Sequence, residues 1–232
     1  MMQPERRCLS GMDLFAGIAP EGIDAIRALT CMEHVGKDEL IFEQGGVARC
    51  AYALAAGSIR IVQTGGDGRQ VIIRFVAQGE MFGTVPLFTD HLFPADAIAA
   101  EPSLIFLWSE ADFLALIDRY PRLSVNVVRI IGACLAEAQD RIRELSTQRA
   151  ERRIAHAVLR LASKAERNAE GNMAIDIPLR RKDLAEVSGT TLHTASRTLA
   201  AWQKAGLLVS HEQRLVIHDL PAIGRISEDV DR

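Results

Sequence analysis

From about residue 33 to residue 108 the apolar positions arrive in short runs rich in Ile, Val and Phe. Glycine cuts each one off: ELIFEQGG, AYALAAGSIRIVQTGGDGRQVIIRFVAQGEMFG, then ADAIAAEPSLIFLW. Short runs bounded by turn residues predict β-strands. GSIRIVQT and QVIIRFV flank GGDGR, the pattern of a hairpin with a glycine-rich loop. Several such strands in succession predict an antiparallel barrel or sandwich. On either side the period changes. Residues 10–29 predict one or two short helices, with Pro20 at a first helical position and Ile23, Ile26 and Leu29 at helical spacing. SEADFLALIDRYP predicts another, with Ser109 as N-cap and Asp112 three residues on. From Arg122 to about Gln148 only Gly132 interrupts a helix of about 27 residues, or ~40 Å.

That long helix carries a heptad seam. Val127, Ile131, Cys134, Ala138, Arg141 and Leu145 step by 4, 3, 4, 3, 4, and Leu123, Ile130, Leu135 and Ile142 form a second apolar flank. Two apolar flanks need two partners, the chain's own barrel and a second copy of the helix. Val127, Ile131, Cys134, Ala138 and Leu145 are taken as the dimerisation positions, since small residues at Cys134 and Ala138 let helices approach closely. Beyond Gln148 the pattern reads helix (ERRIAHAVLRLASKAE), short strand (AIDIPL), two helices (RKDLAEVSG and TLHTASRTLAAWQKAG) and a hairpin (LLVSHEQRLVIHD).

Charge marks the same division. Residues 1–148 hold 13 Lys/Arg against 19 Asp/Glu, and residues 149–218 hold 12 against 7. A basic segment joined to an acidic one suggests a polyanion-binding module attached to something else. Nowhere does an apolar run approach the ~20 residues a membrane span needs. MMQPERRCLS has no apolar stretch behind its charges, so no signal peptide and a cytoplasmic location are expected. Cys8, Cys31, Cys50 and Cys134 have no metal-ligand spacing and read as reduced thiols.

The two short helices divide by face. Leu192, Ala195, Leu199 and Trp202 step by 3, 4, 3 and form the expected buried stripe; Leu184, Ala185 and Val187 serve the preceding helix. Ser188-Gly189 makes the turn, and Thr190 or Thr191 caps the second helix. Two short helices about a glycine turn make a helix-turn-helix, and the hairpin after them makes a wing. His193, Ser196 and Arg197 share the remaining face. A major groove admits such a helix, and Arg197 matches guanine O6 and N7 through its planar fork. Ser196, Thr190 and Thr191 suit bases or phosphates, and Arg180, Arg181 and Lys182 are placed for the phosphate backbone, as are His211 and Arg214 in the wing.

The order barrel, long helix, winged helix-turn-helix resembles the CRP/FNR superfamily of transcription regulators, from about residue 10 to 220. FEQGG, GSIRIV, GEMFG, PLF and DLAEVSGTTLHTASRTLAAWQKAGLL carry the likeness. The resemblance implies an α+β chain of three parts. Residues 1–120 form an effector-sensing antiparallel β-barrel, a cyclic-nucleotide-binding-like jelly roll. Residues 121–148 form a dimerisation helix, and 149–232 a winged helix-turn-helix. It further implies a homodimer on palindromic double-stranded DNA in contact with RNA polymerase, with no membrane partner.

Departures from the family pattern narrow the effector. Members that bind cyclic nucleotides carry Gly-Glu and Arg-Ser pairs; here the corresponding places read Gly83-Thr84 and Pro94-Ala95. A buried phosphate without its guanidinium is costly, which argues against cyclic AMP. The cysteine spacing argues against an iron–sulfur cluster. In the recognition helix His193 stands where the commonest pattern has Glu, so a different half-site is expected. GTTLHTASRTLAAW looks most like the nitric-oxide-responsive NnrR-like group, whose general kind senses the gas through haem. An axial ligand would come from His34, His91 or His156, each of which also reads as an ordinary surface histidine. An effector-independent regulator, or one governed by oxidation of Cys134, is the alternative. A catalytic barrel finds no cluster of ligands, since residues 40–108 hold the one histidine His91.

Overall fold

The computed structural model describes residues 8–163, 166–167, 173–175, 178–211 and 214–228. The chain divides into two compact units, residues 1–64 with 75–138 and residues 65–74 with 139–232. The first opens with a 3₁₀ turn, Asp13–Phe15, and helix α1, Pro20–Ala28, whose proline occupies the first helical position. Eight strands follow: β1 Cys31–Val35, β2 Leu40–Phe42, β3 Cys50–Ala56, β4 Ile59–Thr64, β5 Gln70–Val76, β6 Met81–Phe82, β7 Asp96–Ala99 and β8 Ser103–Ser109. They form two four-stranded sheets, ordered β1-β8-β3-β6 and β2-β7-β4-β5, a jelly roll of the expected class. Helix α2, Glu110–Arg119, begins where Ser109 Oγ accepts the Asp112 N–H at 3.1 Å. Helix α3, Arg122–Thr147, is 26 residues long.

Both faces of the β3–β8 pair are covered, and register explains how. Ala53 opposes Phe106 and Leu54 opposes Ile105, so alternate residues serve different cores. Leu54 and Ile105 join Val35, Ile59, Val76, Phe82, Ala97 and Ala99 inside the barrel. Ala51, Ala53, Phe106 and Trp108 point out, under Leu14, Phe15, Ile26, Phe113 and the start of α3. Asn126 of α3 fastens that outer layer, donating to Leu14 O and Ala16 O at 2.9 Å each.

Burial divides the predicted seam, which is covered at Val127 and open at Leu145 (46% exposed). Val127 is buried and Ile131 half-buried against the chain's own barrel core. The free apolar line is Val128, Leu135 and Ile142, exposed by 69%, 58% and 64% and spaced by sevens. Cys134 is half-exposed and Ala138 exposed. Adjacent helical residues lie about 100° apart, so both flanks satisfy one heptad rule and the pattern leaves open which of them the barrel takes.

In the second unit helix α4, Ala150–Ser163, precedes short strands β9, Glu166–Arg167, and β10, Met173–Ile175. Helices α5, Arg181–Val187, and α6, Leu192–Lys204, come next, then strands β11, Leu208–His211, and β12, Arg214–Ile217. The sheet runs β11-β12-β10-β9. The side chain of His211 and residues 212–213 lie outside the described residues. A final helix, α7, Leu220–Glu228, was not expected from the sequence; it packs on α4.

Candidate nucleic-acid interface

Helices α5 and α6 meet at a turn that only glycine fits. Gly189 has φ +61°, and a Cβ there would run into the side chain of Leu145. Ser188 Oγ closes α5 by donating to Leu184 O at 2.6 Å. Thr191 is the cap of α6, its Oγ1 accepting the Thr194 N–H at 3.1 Å, while Thr190 is bound by its own N–H to Ala185 O at 2.9 Å. Ala195, Thr198, Leu199 and Trp202 are buried, together with Leu184, Ala185 and Val187 of α5.

The opposite side of α6 is free. His193 and Arg197 are exposed and Ser196 half-exposed, so the structure brings the three together as the sequence pattern predicts. Leu192 departs from expectation. It was placed in the buried stripe, yet is 52% exposed beside them. A residue at the first helical position points back past the end of its own helix, where its neighbour no longer covers it.

The flanking cations are less free than the sequence suggests. Arg180 binds buried Asp183 through Nε (3.0 and 3.2 Å) and Nη2 (2.9 Å), and that carboxylate also accepts the Arg180 N–H at 2.9 Å. Lys182 pairs with Glu186 at 3.5 Å, an exposed pair of small worth. Arg181 is exposed.

Three consecutive residues of α4 hold the surrounding elements, and sequence reasoning missed them. Glu151 accepts the Trp202 indole N–H at 3.1 Å, fixing the far end of α6. Arg152 donates to Ser227 O at 3.1 Å, closing α7. Arg153 donates to Ser188 O (3.1 Å), Gly189 O (2.9 Å) and Gln148 O (2.7 Å), joining the turn between α5 and α6 to the junction before α4. Arg141 donates to Ile72 O at 3.0 Å, to Ile73 O and to Glu186 O at 3.5 Å. Most of these acceptors are backbone carbonyls, which residue types do not reveal. Close by, Glu144 is 4% exposed and takes Arg160 Nη1 on both oxygens, at 2.7 and 2.9 Å. His156 Nδ1 lies 3.7 Å from the same carboxylate. Burial holds this imidazole below its ordinary pKa, against the pull of Glu144 and with help from Arg160, Arg152 and Arg143.

In the barrel the segment that would hold a cyclic phosphate does not fit one. Residues 77–100 contain no Lys or Arg, and they include the acids Glu80, Asp90 and Asp96. Gly83 has φ +62°, and a Cβ there would strike the rings of Phe42 and Tyr52. The Phe42 and Phe93 rings stack at 3.8 Å, with Phe82 against Phe42 and Tyr52. The histidines proposed as effector ligands are not brought together: His34 is exposed on β1, and His91 is half-buried with Nδ1 3.7 Å from Glu110 Oε1. All four cysteines are free thiols, and burial pushes Cys8 and Cys50 above the ordinary thiol pKa.

Comparison with known proteins places this geometry. A family described as "Cyclic nucleotide-binding domain" matches residues 32–120, and "Crp-like helix-turn-helix domain" matches residues 152–226. The chain is 30% identical over 200 residues to the cyclic AMP receptor protein of Thermus thermophilus, covering 86% of this chain and 89% of that one. It is 25% identical over 214 residues to the nitrogen fixation regulation protein FixK of Bradyrhizobium diazoefficiens, covering 90% and 89%. Among solved structures, FixK2 from Bradyrhizobium japonicum superposes with a TM-score of 0.77 at 22% identity, over 87% of this chain and 99% of that one.

Proposed function

Because the chain belongs to the CRP/FNR family of transcription regulators, we propose that it binds a palindromic duplex as a homodimer and regulates transcription through RNA polymerase. One observation carries the reading: α6 buries one side completely and leaves His193, Ser196 and Arg197 open on the other, at the end where its free N–H groups favour anions. Arg197 reads guanine, and the exposed Arg181 and Lys182 of α5 and Arg214 of β12 meet phosphates. The second copy docks along Val128, Leu135 and Ile142, each worth about 1.5–3 kcal/mol when buried. No helix among the described residues is long and apolar enough to cross a membrane, which agrees with work on cytoplasmic DNA.

The signal is set apart from that of the relative named for cyclic AMP. Nothing among residues 77–100 answers a phosphate's charge, so this barrel responds to something else. Nitric oxide acting through haem rests on the resemblance of the recognition segment alone, and neither exposed His34 nor half-buried His91 lends it support.

Arg197→Ala tests the DNA reading. It is expected to cost ~1–3 kcal/mol on the selected site and little on random duplex. Equal loss on both removes Arg197 from base recognition.

A further inference from the structure

Glu151, Arg152 and Arg153 of α4 hold α6, α7 and the turn at Ser188-Gly189. His156 follows Arg152 by four residues and Arg153 by three, so it lies on the same side of α4, one turn further on. Its Nδ1 is 3.7 Å from Glu144 of α3, and its Nε2 is buried with no hydrogen-bond partner among the described residues. Gln148 Oε1, at the junction between the two helices, is buried and unpartnered in the same way. Glu144 is itself buried, with both oxygens on Arg160.

The charges around the half-buried ring are uneven. From α3 it meets Glu144 and Arg143, and from its own helix Arg152 and Arg160. The other elements packed on α4 keep their charges elsewhere. Asp183 and Glu186 of α5 are held by Arg180 and Lys182, Arg197 and Lys204 of α6 are exposed, as are Arg225 and Glu228 of α7, and β10 has no ionisable residue. A neutral imidazole suits this place. A proton gives it a second N–H, leaves Nε2–H without an acceptor and sets a cation among three guanidiniums. The carboxylate that would receive it is already taken by Arg160. Relief comes when Glu144 lets go of Arg160 or the ring leaves for water, and either moves α4 against α3.

We propose that His156, Glu144 and Arg160 form an acid-responsive latch, whose opening loosens the hold of α4 on the turn before α6 and lowers affinity for the specific duplex. The signal is a proton, and it acts outside the barrel. The inference rests on the DNA-binding reading above and adds regulation to it. A specific site needs the recognition helix in register, whereas random duplex is held by charge that a shifted helix keeps, so the two affinities separate.

The full-length chain is used to select its site from a randomised duplex library. Affinities for the selected and for random duplex are then measured from about pH 7.5 to about pH 5.5, at constant ionic strength and at a temperature where circular dichroism shows the protein folded. The ratio of the two is expected to fall across this range at least about fivefold more in wild-type protein than in His156→Gln, the low end of ordinary coupling between sites. Other histidines, His193 among them, are common to both proteins and cancel in the comparison. Hydrogen exchange of the wild-type chain gives a second test that needs no variant. The Ser188, Gly189 and Thr190 amides, bonded to Leu184 O, Glu186 O and Ala185 O, are expected to lose protection at acid pH, after correction for intrinsic rates, while the β3–β8 pair keeps its own. Superimposed affinity profiles on an enriched site, or constant protection at the turn, overturn the latch and leave the DNA-binding reading standing. If the library yields no enriched sequence, the DNA-binding reading falls and takes this inference with it.

Discussion

A single residue can be right in kind and wrong in place. Leu192 keeps the apolar spacing of a buried stripe, yet its position at the start of α6 leaves it in solvent. Periodicity assigns a side chain to an angle around the axis and says nothing of where the covering neighbour ends. His156 shows the converse: its type suggested a ligand, and its surroundings make it a half-buried base. Its Nε2 is buried with no hydrogen-bond partner among the described residues, and Nδ1 faces Glu144. With its folded pKa held below the ordinary 6.5, the unfolded chain binds the proton more readily. Stability from this residue is therefore present above that value and is lost as pH falls through it toward the folded pKa. The melting temperature is expected to drop between about pH 7.5 and about pH 5.5, and His156→Gln is expected to flatten that slope. An unchanged slope in the variant assigns the acid sensitivity to another group.

Whole elements were more legible than their partners. The hairpin, the N-cap at Ser109, the extent of α3 and the glycine turn at Gly189 each rest on local chemistry, and local chemistry is what a sequence displays. The seam of α3 rests on a choice between two flanks, which only the packed barrel decides. The Glu151-Arg152-Arg153 grip was equally hidden, because its acceptors are mostly carbonyls brought close by the chain's return. The exposed line of α3 makes a paired prediction. Leu135→Glu sets a charge on the exposed line and is expected to give a monomer at micromolar concentration by sedimentation, with folding stability unchanged. Val127→Ala, on the buried flank, is expected to lower stability by about 2 kcal/mol through its cavity and to leave association intact. The reverse outcome would restore the seam through Val127, Ile131 and Cys134.

At the level of the whole chain, resemblance and chemistry diverge at one point, the signal. The chain shares its fold with solved regulators, and its barrel sequence matches a family named for cyclic nucleotides. The rings of Phe42, Phe82 and Phe93 nevertheless stack there, and residues 77–100 carry carboxylates where a phosphate needs a cation. A ligand that binds the folded state raises its stability by about 2.7 kcal/mol when present at a hundred times its dissociation constant. Millimolar cyclic AMP is therefore expected to leave both the melting temperature and the affinity for the selected duplex unchanged. A rise of several degrees would show that another group supplies the missing charge. The same two readouts judge the gas-sensing proposal, with an absorption spectrum added. Haem held by the folded chain gives a Soret band and a stability gain together, and nitric oxide then shifts the band and the duplex affinity in step. A band without the coupled change in affinity describes haem adhering to a surface histidine such as exposed His34, because a ligand moves an equilibrium only by the difference in its affinity for the two states.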